Sequence, residues 1–316
     1  MMANDTIQPV NPRAAAAAKT QLMQSYQQVH DNLMRTFDKE LFFVVGCQKS
    51  GTTWLEKILN GHSEMVCRGE AIFGVVLQPA LQQALGTFNQ HIKDRNTQVD
   101  QAGADMLFNE VQLDYLFLTA AGLIMSNWLK KPNIKAIGEK TPEHAKAIPL
   151  FERYFPAAKY VHIIRDGRDV AVSGWFHNVR YAGERFAQQF PTMPTYIKYL
   201  CEHHWIPYIT AAQQFGQSHP DRYFELRYEQ LHEDPKTIVE QLLNFLNVDA
   251  SQQAVMQCLE AGAFKTLTKG RAEGDEDKNS FYRKGVAGDW KNHFDDAATE
   301  AFEQTGGEML RQLGYL

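Results

Sequence analysis

Leu41-Phe42-Phe43-Val44-Val45-Gly46-Cys47-Gln48-Lys49-Ser50-Gly51-Thr52-Thr53-Trp54 is the stretch on which the reading of this chain turns. Leu41 to Val45 is an unbroken apolar run, rich in aromatic and β-branched side chains. A run this short, closed by a glycine, predicts a strand buried on both faces of a parallel sheet. A helix is predicted from Thr52 to Asn60, with Gly61 as its stop. Between strand and helix, Gly46 and Gly51 let the backbone turn tightly and aim successive N–H groups inward. The helix N-terminus adds partial positive charge and Lys49 a full one, so the turn predicts an anion cradle.

The order of residues in that turn separates two chemistries. A nucleoside-triphosphate loop reads G-x-x-x-x-G-K-[ST]. Here the glycine spacing is kept, but Thr52 holds the lysine position and the lysine stands earlier, at Lys49. No acidic residue at a strand end presents itself as a metal ligand, and triphosphate chemistry needs magnesium to offset its charge. A less charged phosphosulfate can be held by lysine and backbone donors. A kinase or nucleotide switch using magnesium with ATP or GTP is the runner-up. A binding module without turnover is the third reading.

Outward from the turn, the same logic gives the rest of the frame. Residues 21–37 carry a helical apolar pattern, and 1–20 read as a flexible arm. Ile134–Ile137, Lys159–Ile164 and Arg222–Arg227 read as strands, and Arg168–His177 as a helix. Asp234 is placed as a helix cap ahead of Pro235. Residues 78–130 show helical patterns only. Residues 269–289 are charged, glycine-rich and without period, which predicts a long loop or lid. Strands alternating with helices predict an α/β fold: a P-loop-containing parallel sheet flanked by helices on both faces. The expectation is one domain over 21–316, with a helical insertion at about 78–130.

Composition narrows the function. The chain has 316 residues, 44% of them hydrophobic, and a net charge of −5, which disfavours a non-specific nucleic-acid binder. The four cysteines show no C-x-x-C pair or zinc-ligand spacing, the usage of a reducing compartment. There is no signal-peptide pattern and no apolar run long enough to span a membrane. The expectation is a cytoplasmic protein.

Two more segments join the first. Residues 163–177 read IIRDGRDVAVSGWFH, and residues 283–294 read RKGVAGDWKNHF. In the first, Arg165 ends a strand and offers a fork of donors, with Ser173 eight residues on. In the second, Arg283 and Lys284 are adjacent cations in a glycine-rich loop able to close over a dianion. Together, QKSGTTW and these two strings resemble the three cofactor motifs of sulfotransferases that use 3′-phosphoadenosine 5′-phosphosulfate (PAPS), particularly the cytosolic ones. The resemblance runs, with gaps, from 41 to 294.

The resemblance implies the following roles. Lys49, Ser50, Gly51, Thr52 and Thr53 hold the 5′-phosphosulfate. Arg165, Ser173, Arg283, Lys284 and Gly285 hold the 3′-phosphate. Trp54, Tyr228 and Phe264 surround the adenine, while Gly262 stands where the family usually has threonine. Lys49 stabilises the leaving phosphate, and Lys140, in GEKTPEH, contacts the sulfonate. No metal is required. Cytosolic members place a histidine base two residues after that lysine, where this chain has Pro142. Tyrosylprotein and heparan-type members use a glutamate shortly after the first helix, which Glu70 resembles. Glu70 is the favoured base and His144 the alternative. The acceptor is read as a small molecule, with Phe73, Trp175, Phe176, Tyr181 and Tyr282 as candidates for an apolar pocket. Oligomeric state stays open, because Asp295 and Asp296 replace the centre of the family's dimer segment.

Overall fold

A computed structural model describes the backbone of residues 12–99 and 106–316. Five strands form one parallel sheet: β1 Glu40–Gly46, β2 Met65–Gly69, β3 Ala136–Lys140, β4 Lys159–Ile164 and β5 Tyr223–Arg227, in the order β2-β3-β1-β4-β5. β1 lies in the middle, and its apolar run supplies both faces. Phe42 and Val44 enter a core with Leu55, Ile58, Leu242 and Val255. Phe43 and Val45 enter the opposite core with Phe151, Tyr160, Trp205 and Phe302. Alternation along a strand buried on both sides requires this division.

The helices are α1 Pro12–Phe37, α2 Thr52–Asn60, α3 Gln78–Val99, α4 Glu110–Ser126, α5 His144–Tyr154 and α6 Gly167–Gln189, followed by further helices of which the last is Asp296–Gln312. α2 begins and ends where its sequence signals place it. Asp234 caps the helix Pro235–Phe245 by accepting from the Thr237 N–H. Within 78–130, α3 and α4 are helical.

Two expectations differ from the structure, and one strand is additional. The arm expected over 1–20 is helical from Pro12: proline suits a first helical position, and the alanines after it have the highest helix propensity. Residues 1–11 lie outside the described residues. The strand expected at 134–137 runs over Ala136–Lys140 instead, because its partners in β1 and β2 begin opposite Ala136. β2 was not foreseen. Only its first three residues are buried, and it ends in Arg68 and Gly69, so it carries half a strand's apolar signature.

The topology places the site. The chain leaves β1 toward β2 and β3 on one side and then crosses to β4 and β5 on the other. Ligand crevices in open α/β sheets form outside the carboxyl ends of the strands, where the strand order reverses. The turn 46–51, Arg165 after β4 and Lys140 at the end of β3 all lie at that edge.

Candidate active site

The turn after β1 is built by backbone geometry that side chains would obstruct. Gly51 has φ +100, and a Cβ there would sit 2.6 Å from the Tyr228 ring. Gly46 lies against β4, where a Cβ would come within 2.6 Å of the Ile163 carbonyl oxygen. Between them Lys49 adopts φ 72, a left-handed conformation that is uncommon outside glycine. Its ammonium lies 4.7 Å from the centroid of the Phe281 ring. Burial, followed by the nearby Arg180 and Arg165 charges, pulls the Lys49 pKa down to about 8.

This turn forms one wall of a cavity of about 340 Å³. Of the residues singled out in the sequence, Lys49, Gly51, Thr52, Thr53, Trp54, Glu70, Arg165, Ser173, Tyr228, Phe264, Arg283, Lys284 and Gly285 all line it. They come from the ends of β1, β2, β4 and β5, from α2 and α6, from the short helix Phe264–Leu267 and from the 283–286 loop, up to 236 positions apart in sequence (285 minus 49).

The cationic end is held by a buried scaffold. The guanidinium of Arg165 donates to the carbonyls of Lys49 (3.3 Å) and Val286 (3.0 Å) and lies 4.1 Å from the Tyr228 ring centroid. Asp169, one helical turn later, accepts from the Gly288 and Trp290 N–H groups at 2.6 and 2.9 Å. This fastens the 283–290 loop over α6. Asp289 accepts from Arg283 (2.5 Å) and Lys284 (2.6 Å) and faces His293 at 3.2 Å. Burial acts to raise the Asp289 pKa, but the hydrogen bonds from Lys284, Asn292 and Arg283 prevail and hold it well below the usual carboxylate range.

A depressed carboxyl contributes stability above its unfolded pKa, and that contribution is lost as pH falls through the folded value. The parent is therefore expected to resist urea better than Asp289→Asn at neutral pH. The gap should start to narrow as pH drops below the ordinary aspartate value. Urea midpoints for both proteins at pH 7 and near pH 3 read this directly.

At the aromatic end, the Trp54 indole N–H donates to the Gly262 carbonyl at 2.7 Å, and its ring meets Tyr228 at 5.2 Å. Phe264 closes this end and lies against Gly285, where a Cβ would meet the ring at 2.4 Å. Gly262 has a steric reason: a Cβ there would lie 2.3 Å from Ile58 Cγ1. Gly262→Thr is expected to destabilise the fold by about 1–3 kcal/mol through overpacking. Combination with Ile58→Ala should recover part of that loss in a denaturant titration.

At the third corner, Glu70 follows β2 directly. Lys140, almost fully buried, donates to Glu70 Oε1 at 2.6 Å and lies 4.0 Å from Glu56 Oε2. Gly69 leaves the room for this, since a Cβ there would meet the Lys140 Cε at 2.5 Å. The Glu70 side chain is 52% exposed, toward the cavity and solvent.

Three of the singled-out residues do not line the cavity. Ser50 is buried beneath the turn, and its hydroxyl has no partner among protein atoms. Lys140 reaches the site only through Glu70. His144 is fully buried, edge-on to Phe43 and Phe151. It accepts from the Gly74 N–H and faces Glu139 at 2.9 Å, so it is sealed from any acceptor. Its place in the sequence suggested a base, but the turn of α5 carries it into the core.

The apolar pocket expected from five aromatics is also revised. Phe73 is fully buried, Tyr181 stands at the surface, and Trp175 packs on Phe186 and Tyr196. Phe176 lies beside His293 and under Arg283. Of the five, Tyr282 lines the cavity, together with Phe281.

The sequence reading passed over His177, Gln48, Glu143 and His232, which also line the cavity. His177 is four residues beyond Ser173, one helical turn along a face already marked, and that spacing was the available signal. Burial, then the charges of Lys49 and Arg180, lowers its pKa to about 4, which keeps it neutral near pH 7.

The model of the Sulfotransferase family matches residues 42–252. Sulfotransferase 2A1 of Macaca fascicularis is 26% identical over 181 residues, covering 52% of this chain and 62% of that protein. The chain thus spans about three fifths of the first relatives it matches. Sulfotransferase 1 family member D1 of Rattus norvegicus is 25% identical over 283 residues, covering 81% of this chain and 78% of the relative. Among solved structures, mouse sulfotransferase SULT7A1 complexed with PAP superposes with a TM-score of 0.53 at 17% identity, over 89% of each chain. A sulfotransferase from Mycobacterium avium superposes at 0.50 and 13% identity, over 92% of this chain and 80% of that one. Those two structures share the fold described above, and the family match covers two thirds of the sequence: the chain belongs to the sulfotransferase family.

Proposed function

We propose that this protein transfers a sulfonyl group from PAPS to the hydroxyl, or the amine, of a small apolar acceptor, leaving adenosine 3′,5′-bisphosphate. The observation that carries the reading is convergence. Lys49, Arg165, Arg283 and Lys284 face one cavity that is aromatic at one end and opens on a carboxylate at another. Orphaned groups fit an anion there: among the described residues, Arg165 Nε and Arg283 Nε on its wall are buried without a hydrogen-bond partner.

In this reading Lys49, Thr52, Thr53 and the backbone of the turn hold the 5′ end of the donor. Arg165, Ser173, Arg283 and Lys284 hold the 3′-phosphate, and Trp54, Tyr228 and Phe264 hold the adenine. The bound donor supplies an activated sulfonyl group on a phosphate leaving group. The chain supplies position and charge. Lys49 keeps a proton at Nζ to stabilise the leaving oxygen. Lys140 orients Glu70, and Glu70 Oε takes the proton of the acceptor. Phe281 and Tyr282 give the acceptor side an apolar wall. PAPS is the co-substrate and no metal is required. The protein works in the cytoplasm without nucleic acid. Among the described residues, no helix is long and apolar enough to cross a membrane.

Incubation with PAPS and a panel of alcohols, phenols and amines tests this. Matched formation of adenosine 3′,5′-bisphosphate and a sulfated acceptor, with chelator present, is expected. Tight PAPS binding without consumption would favour a binding module, and turnover of ATP with magnesium would favour a kinase.

A further inference from the structure

We infer that Glu139, Thr141 and His144 form a buried clamp that fixes the position of the Glu70 carboxylate. This inference rests on the reading of Glu70 as the base.

The need for a clamp comes from the chain path. Glu70 is the first residue past β2, whose last rung pairs Gly69 with Lys140. Beyond it, residues 70–72 belong to no strand or helix. Their N–H groups have no ladder partner, and Ala71 is half-buried while Glu70 and Ile72 are exposed, so what holds this stretch must come from outside the ladder. Side chains of the GEKTPEH segment supply the acceptors. The Ala71 N–H donates to Glu139 Oε1 at 2.8 Å, the Ile72 N–H to Thr141 Oγ1 at 3.4 Å, and the Gly74 N–H to His144 Nε2 at 3.3 Å.

Thr141 is tied to Glu139, and His144 stands against the same carboxyl. The Thr141 hydroxyl donates to Glu139 Oε1 at 2.5 Å. His144 accepts at Nε2, and its Nδ1 lies 2.9 Å from Glu139 Oε2, close but not aligned as a hydrogen bond. All three residues are fully buried. A buried carboxylate is costly unless it is paired and hydrogen-bonded. Glu139 takes its backbone hydrogen bond from the residue directly after Glu70. Neighbouring positions of the same core are filled by Phe43, Ile137 and Phe151, so packing alone would be served by an apolar side chain here.

Glu139 and Lys140 are successive strand residues and point to opposite faces of the sheet. On one face Lys140 grips the Glu70 carboxylate. On the other, Glu139, Thr141 and His144 grip the backbone that carries it. The segment is thus held at side chain and main chain from a single strand end. Displacement of a reacting group by about 1 Å can cost roughly 100-fold in rate. Glu139, Thr141 and His144 are therefore positioning residues, and none touches the acceptor.

Thr141 gives the cleanest test. Thr141→Val keeps the shape but removes the hydroxyl, and Thr141→Ser restores it. With the best acceptor from the panel, Thr141→Val is expected to lower kcat about 10- to 100-fold, with the Kd for adenosine 3′,5′-bisphosphate unchanged. Thr141→Ser should stay close to the parent. In a Glu70→Gln background, Thr141→Val should add no further loss. Amide exchange gives a readout independent of turnover. In the parent, the Ala71 and Ile72 amides should exchange at least about 100-fold more slowly than loop amides, and faster in Thr141→Val. Equal kcat in the parent and Thr141→Val, equal losses in the valine and serine variants, or an unprotected Ala71 amide in the parent would each overturn the clamp. Full turnover by Glu70→Gln would instead remove the base reading, and the exchange rates would still decide whether the clamp exists.

Discussion

Glu70→Gln is expected to lower kcat by about 10²- to 10⁴-fold, the range for loss of a general base, while the affinity for adenosine 3′,5′-bisphosphate stays at the parent value. Glutamine keeps the shape of the side chain and an oxygen able to accept from Lys140, which lies 2.6 Å from Glu70 Oε1. It cannot take a proton. The nucleotide contacts proposed above come from other walls of the cavity, so binding and chemistry should separate. Single-turnover kinetics alongside calorimetric nucleotide binding measures both. A variant with parental kcat would transfer the role of base elsewhere. His144 would not inherit it, because it is sealed between Phe43 and Phe151. His177, neutral and on the cavity wall, would be the next residue to test.

Lys49→Met should cost about 10²- to 10³-fold in kcat/KM for PAPS, the scale set by removing a preorganised charge from a developing anion. Methionine keeps the reach and removes the charge. The pH dependence of the parent supplies a second reading. Burial, with Arg180 and Arg165 nearby, lowers the Lys49 pKa to about 8. Below that value Nζ carries its charge, and above it the free protein progressively loses it. The parental kcat/KM for PAPS is therefore expected to fall as pH rises past about 8. In Lys49→Met that fall should be absent. A parental profile flat to pH 10 would contradict the placement of Lys49 as the anion's partner.

The sequence revealed the residues that backbone geometry and charge make costly to substitute. Gly46 and Gly51 were legible because a Cβ at either would strike Ile163 or Tyr228. The apolar run of β1 was legible because both of its faces enter cores. Arg165, Arg283 and Lys284 stood out through charge in company with glycine. β2 was hidden because its outer end is exposed and polar. α6 is broken by a kink at Gly183, which has φ 48, and no local signal marks the second helical stretch that continues to Gln189. Glu139 and Asp169 were passed over because a carboxylate in a motif reads as solvated until its backbone partners are known, and those partners lie 68 and 119 or more positions away. His144 illustrates the reverse. Its spacing from Lys140 resembled chemistry, while its burial assigns it to support.

Arg283 and Lys284 add a consideration for binding. Both already pair with Asp289, so an incoming phosphate meets cations that are oriented but partly neutralised. Orientation by a buried carboxylate limits the side-chain entropy lost on binding. Asp169, which fastens the same loop through Gly288 and Trp290, does this for the backbone.

A crystal of the protein soaked with adenosine 3′,5′-bisphosphate would test the central claim most directly. The account predicts the 5′-phosphate against the amides of the 46–53 turn with Lys49 beside it, the 3′-phosphate among Arg165, Arg283 and Lys284, and the adenine between Trp54 and Phe264. Density for the nucleotide elsewhere on the molecule, with that turn empty at saturating concentration, would contradict it.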